Sequence, residues 1–226
     1  MRASTARAIP HALTARALAA LAVCAALAAP AEAEGERAGV FDYFVMALSW
    51  SPNWCAREGD ARGSDQCDPR HDHGWILHGL WPQYEEGWPS FCRTDQRDPT
   101  RRETAAMSDI MGTSGLAWYQ WQKHGRCSGM SAADYFAAAR AAYESVTRPP
   151  AFHRFGETIR LPAQVVEDAF AEANPGLTDD RMEVTCAGEM IAEVRICLTR
   201  DLQPRDCGPD VRRDCTARRA IMEPVR

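Results

Sequence analysis

A chain of 226 residues with 31 acidic and 26 basic side chains carries a formal charge of −5 and is long enough for one domain with a sizeable core. That balance excludes a general nucleic-acid binder, which needs a basic face to displace counterions. The chain shows no internal repeat and no low-complexity linker.

The first 33 residues read as an export leader. Arg2, Arg7 and Arg16 form a basic start, Ala17 to Ala29 an apolar stretch too short to span a membrane, and Ala31-Glu32-Ala33 a small-x-small cleavage site. Residues 34–226 are then the single working domain, expected in the periplasm or outside the cell, monomeric and without a membrane attachment. Losing three arginines and Glu32 takes the formal charge from −5 to −7. Apart from Cys24 there are eight cysteines, an even number that in an exported chain reads as four disulfides. Zinc is the competing reading, with His71, His73 and nearby cysteines as ligands. No Cys-x-x-Cys knuckle supports it, so no metal and no cofactor is expected.

Val40 to Ser51 predicts a strand whose alternate residues are apolar on both faces, hence a central one. Ser51-Pro52-Asn53 ends it, and residues 56–74, polar and rich in Gly and Asp, predict a loop. Trp75 to Pro82 predicts a second strand, with His78 followed by Gly79, where a backbone can turn or a ligand approach closely. Residues 83–102 form another loop, carrying Trp88 and Cys92.

Helices are predicted over Arg102–Gly112 and Leu116–Lys123. A third runs from a capping-box-like Ser131/Asp134 start to Val146, ahead of Pro149-Pro150. A fourth covers Pro162–Ala173. Met182–Cys186 and Met190–Leu198 predict a hairpin across Ala187-Gly188-Glu189, and a last strand is expected near Ala220-Ile221-Met222. Strands and helices mix without a βαβ repeat. The expected class is therefore α+β, a central, mainly antiparallel sheet flanked by helices and stapled by disulfides.

Two stretches carry chemistry: His78-Gly79-Leu80-Trp81-Pro82 and Trp121-Gln122-Lys123-His124-Gly125-Arg126-Cys127. Cleaving RNA by internal attack needs a base for the 2′-hydroxyl, an acid for the departing 5′-oxygen and a fixed cation for charge building on phosphorus. Two imidazoles serve the proton steps and a lysine the third. No metal is required.

The two stretches resemble the paired active-site signatures of the ribonuclease T(2) family of secreted endoribonucleases, in the family's order and at a similar separation. Leu48-x-Trp50-x-Pro52-x-x-Cys55 and the Cys186 to Leu198 segment extend the resemblance over most of residues 40–215. It implies His78 and His124 as the acid–base pair, with His124 taking the 2′ proton and His78 protonating the leaving oxygen. The residues alone do not fix that order. Lys123 would stabilise the transition state, and Trp81 would lie at the base site.

The products implied are a 2′,3′-cyclic phosphate and then a 3′-phosphate, with low base specificity; DNA, lacking the hydroxyl, is not cut. The resemblance also implies the pairs Cys55–Cys67, Cys92–Cys127, Cys186–Cys215 and Cys197–Cys207.

Four positions depart from the family pattern. Gln120 stands for its glutamate, Tyr119 for the histidine before it, Gln83 for the base-site aspartate after Trp-Pro, and Arg126 for a threonine. Gln120 can bond a phosphate oxygen but cannot carry a proton, which implies reduced or altered activity rather than none. Arg126 is a phosphate contact or a surface charge. Two other readings stand beside this one: a catalytically weakened member that binds RNA or a protein, and a metal-dependent hydrolase using His71, His73, His78 and an acid.

Overall fold

The computed structural model describes residues 36–226; the expected leader over residues 1–33 lies outside them. Six strands form one sheet: β1 Tyr43–Trp50, β2 Trp75–Gln83, β3 Ile159–Leu161, β4 Met182–Ala187, β5 Met190–Leu198 and β6 Ala220–Met222. Its order is β2-β1-β5-β6-β3, with β4 also pairing β5. Every pairing is antiparallel except the single Met190↔Ile221 contact of β5 and β6. The helices are α1 Ser51–Trp54, α2 Arg101–Ala105, α3 Ser108–Met111, α4 Ser114–Lys123, α5 Ala132–Ser145 and α6 Ala163–Ala173. The class is α+β.

β1 occupies the position its two apolar faces predict, between β2 and β5. Phe44, Met46, Leu48 and Trp50 face a core shared with Trp121 and Tyr135, all fully buried or nearly so. Each such side chain contributes about 1.5–3 kcal/mol by leaving water. The alternate residues Tyr43 and Val45 join a smaller cluster with Cys197, Cys207 and Val211, against which Trp81 packs. Ala47 and Ser49, both small, continue that second face. Two tyrosines of α5 fix β2 from behind. Tyr135 Oη donates to the Leu80 carbonyl at 2.8 Å, and Tyr143 Oη to that of Trp75 at 3.0 Å.

The expected break after β1 is instead helical: Pro52 sits in the first turn of α1, where its missing N–H is no loss. Asn53 explains why the turn is ordered. Its buried amide donates to the Ile191 and Ile221 carbonyls at 2.7 and 2.8 Å and accepts from the Glu223 N–H at 2.7 Å. The single helix expected over 102–112 is two short ones, meeting at the buried Met107. The edge strand β3 has no counterpart in the sequence reading: at three residues it is too short to show an alternation.

The cysteines form Cys55–Cys67, Cys92–Cys127, Cys186–Cys215 and Cys197–Cys207. Among the described residues no helix is long and apolar enough to cross a membrane.

Candidate active site

β2 supplies the first histidine, and the register shows how. Ala47 pairs with Gly79 and Leu48 with Leu77, so His78 is the extra residue of a β-bulge. A bulge re-aims one side chain while the ladder continues on either side. Leu77 therefore stays in the core while the half-buried His78 side chain enters the cleft.

The second histidine ends α4. Thr113 caps that helix, accepting from the Leu116 N–H at 3.1 Å. Gln120, Lys123 and His124 follow at spacings of three and four, which puts them on one face. Trp121 points the other way, fully buried, and donates to Asp98 at 2.9 Å. The Arg126 guanidinium also binds Asp98, at 2.7 Å, so it is engaged in an ion pair. Cys92–Cys127 and the Phe91 N–H bond to the Lys123 carbonyl, 2.9 Å, tie the loop after β2 to this helix end.

Both stretches open into one cleft of about 530 Å³, lined among others by His78, His124, Lys123, Gln120, Trp81 and Tyr119. Trp81 is the wedge between the imidazoles. His124 stacks on it at 5.3 Å between ring centres and 28° between planes, while His78 meets it at 5.3 Å and 81°. The indole N–H donates to Gln120 Oε1 at 2.7 Å. This bond crosses directly over Gly79, where an added Cβ would lie 2.2 Å from Gln120 Oε1 and 2.3 Å from Trp81 Nε1. Glycine is required there for space.

The two imidazoles have unlike surroundings. His124 is 6% exposed, and its Nδ1 is buried with no hydrogen-bond partner. Burial first, then the Lys123 ammonium and His78, push its ring down to about 3, so it is neutral at any ordinary pH. His78 Nδ1 instead makes a short contact with Glu193 Oε1, on β5. The other oxygen of Glu193 accepts from Arg195 at 2.8 and 2.9 Å. Burial pushes the Glu193 carboxyl up, but the bond to His78 and the charges of His78 and Arg195 outweigh it and hold it at about 2.

Lys123 has no carboxylate partner among the described residues; its ammonium lies 6.0 Å from the Tyr119 ring centre. Gln83 is buried in the cleft wall. Tyr119 and Trp88 are about half exposed at its rim. The C-terminal segment adds Asp210 and Arg213 to the lining. Asp210 accepts from the Gly87 N–H and so holds the Trp88 loop.

The cleft unites His78, Trp81, Gln83, Tyr119, Gln120, Lys123 and His124, leaves Arg126 outside its lining, and adds Glu193, Arg195, Trp88, Asp210 and Arg213. His71 and His73 stack on each other at 5.3 Å and do not line it. Among the described residues no three His, Cys, Asp or Glu side chains are grouped to hold a metal.

A model of the Ribonuclease T2 family matches residues 41–207, and the chain belongs to that family. A ribonuclease of Aeromonas hydrophila is 44% identical over 108 residues, 48% of this chain and 47% of that protein. A probable ribonuclease of Haemophilus influenzae is 32% identical over 120 residues, 48% of this chain and 44% of that protein. The chain thus spans about half the length of these curated relatives. Among solved structures, the RNase-related protein from Calystegia sepium superposes with a TM-score of 0.61 at 22% identity, over 81% of this chain and 96% of that one, a likeness of fold.

Proposed function

We propose that this member of the Ribonuclease T2 family is an exported, metal-independent endoribonuclease that cuts single-stranded RNA through a 2′,3′-cyclic phosphate to 3′-phosphate ends. The observation that carries this reading is the meeting of two imidazoles and one ammonium group in a single cleft. Three properties of their surroundings support the division of labour.

His124 is neutral and can accept the 2′ proton as it stands. His78, backed by an ionised carboxylate, is suited to deliver a proton to the 5′-oxygen. Lys123, without a carboxylate of its own among the described residues, is the cation for the charge developing on the phosphoryl oxygens. Each well-placed proton carrier contributes about 10²–10⁴ in rate.

Gln120 acts through the indole rather than as a proton carrier, because its oxygen is committed to Trp81. Trp81 in turn spaces the two rings. Trp88 and Tyr119, exposed at the rim, are surfaces on which any base can stack, and Gln83 lines the same cleft; low base specificity follows. DNA lacks the attacking hydroxyl and is not cleaved. The working form is a monomer of residues 34–226.

The test is RNA cleavage in EDTA by the wild type beside His78→Ala and His124→Ala. Cleavage that persists in EDTA and disappears in both variants is the expected result. Loss in EDTA overturns metal independence. Binding without cleavage overturns the enzyme reading in favour of a weakened, RNA-binding member.

A further inference from the structure

We propose that Glu193 is the positioning residue of His78: it accepts the Nδ1–H bond, selects the ring tautomer and leaves Nε2 as the atom that hands a proton to the leaving oxygen. The inference rests on His78 as the acid of the proposed reaction and deepens it.

Glu193 is brought to His78 by sheet register rather than by proximity in sequence. It pairs with Ser49 on β1, and Arg195 pairs with Ala47, which in turn pairs with Gly79. The small side chains of Ala47 and Ser49 on the intervening strand let a β5 carboxylate reach across β1 to a β2 imidazole.

The residue is 7% exposed, and a buried charge is costly unless paired. Its two oxygens are divided: Oε1 to His78 and Oε2 to Arg195. If Glu193 served Arg195 alone, both oxygens would be free to face the guanidinium, and His78 would be left to the latitude of its bulge. The Arg195 bonds instead fix the carboxylate from behind and aim the remaining oxygen at one ring nitrogen. Lys123 and His124 on α4 and Asp210 and Arg213 of the C-terminal segment face the same cleft, and no hydrogen bond from them reaches His78. The Glu193 carboxyl stays ionised at any working pH, so His78 meets a fixed acceptor.

This role predicts a selective defect. Uridylyl-3′,5′-adenosine needs a proton on its departing alkoxide. Uridine 3′-(p-nitrophenyl phosphate) is attacked by the same 2′-hydroxyl but releases a stable phenolate that needs none. Glu193→Gln keeps reach and removes charge; Glu193→Asp keeps charge and withdraws from His78 while still facing Arg195. Either variant is expected to lower kcat on the dinucleoside about 10²-fold, with KM little changed and the p-nitrophenyl ester turned over nearly as by the wild type. If Glu193→Gln does not fold, the aspartate variant carries the comparison.

Equal losses on both substrates, or none on either, overturn the proposal. A wild type inert on both substrates overturns the ribonuclease reading instead, and the ring is then read directly from its ¹⁵N resonances. The expected spectrum has protonated Nδ1 in the wild type and a mixture of tautomers in Glu193→Gln; identical spectra overturn the positioning role.

Discussion

The two histidine seats solve opposite problems. His78 stands on a bulged strand, half open to solvent, with a carboxylate bonded to its inner nitrogen. His124 ends a helix, almost wholly buried, with no partner on its inner nitrogen. One ring is given a charge to lean on and the other is denied water. On the proposed division of labour, a pair of identical side chains is made into an acid and a base by what lies behind each ring, not by the rings.

The sharpest way to break this comparison is to remove the rings one at a time. His124→Ala and His78→Ala are each expected to lower kcat/KM on RNA by about 10³-fold. On the p-nitrophenyl ester only the loss of His124 should remain severe. Equal behaviour on that ester would erase the distinction.

The next largest effect concerns what holds the His124 seat in place. Replacing Cys92 and Cys127 by alanine opens a loop of 35 residues and is expected to cost about 3–4 kcal/mol in denaturant unfolding, with activity falling more steeply than stability because the end of α4 loosens. The seam between the seats is probed by Gly79→Ala. The new methyl collides with the Gln120–Trp81 bond, and a loss of about 1–3 kcal/mol is expected from thermal melts, together with a shift in the Trp81 environment.

Acidity tests the seats most gently. The folded His124 resists protonation down to about 3, whereas the unfolded chain takes up that proton below its ordinary 6.5. Stability from this group is therefore complete above pH 6.5 and is lost as pH falls toward 3, by about 1.4 kcal/mol per unit. Urea melts at pH 7 and 5 should show a drop that His124→Gln reduces. The same depression keeps the base form present, so the acidic limb of kcat/KM is expected below pH 5.

Much of this molecule can be read along the chain. The doubly apolar run from Val40 to Ser51 identifies the central strand, observed over Tyr43–Trp50, and Ala187-Gly188-Glu189 the hairpin. His78 stands out beside glycine and tryptophan, and Lys123 and His124 beside tryptophan, glycine and cysteine, each in a compact pattern. Glu193 left no such mark. Within Met190–Leu198 it is one polar residue in an alternating strand, the pattern of a solvent-facing position, and only the pairing across β1 reveals that its face is the cleft. The bulge at His78 was hidden for a related reason: it is a property of two strands in register, and one sequence segment holds only half of it. Asp210 and Arg213 lie in a polar, cysteine-stapled tail whose path depends on Cys197–Cys207 and on its neighbours rather than on any local period.

The stacking of Trp81 on His124 also makes the site optically legible. An imidazolium accepts an electron from an excited indole more readily than a neutral ring does, so gain of a proton by His124 should dim the emission of its neighbour. Subtracting the spectrum of Trp81→Phe, with both made in a His78→Ala background, isolates that signal from the other tryptophans and from the second ring beside the indole, and the wedge becomes a label-free gauge of the His124 proton.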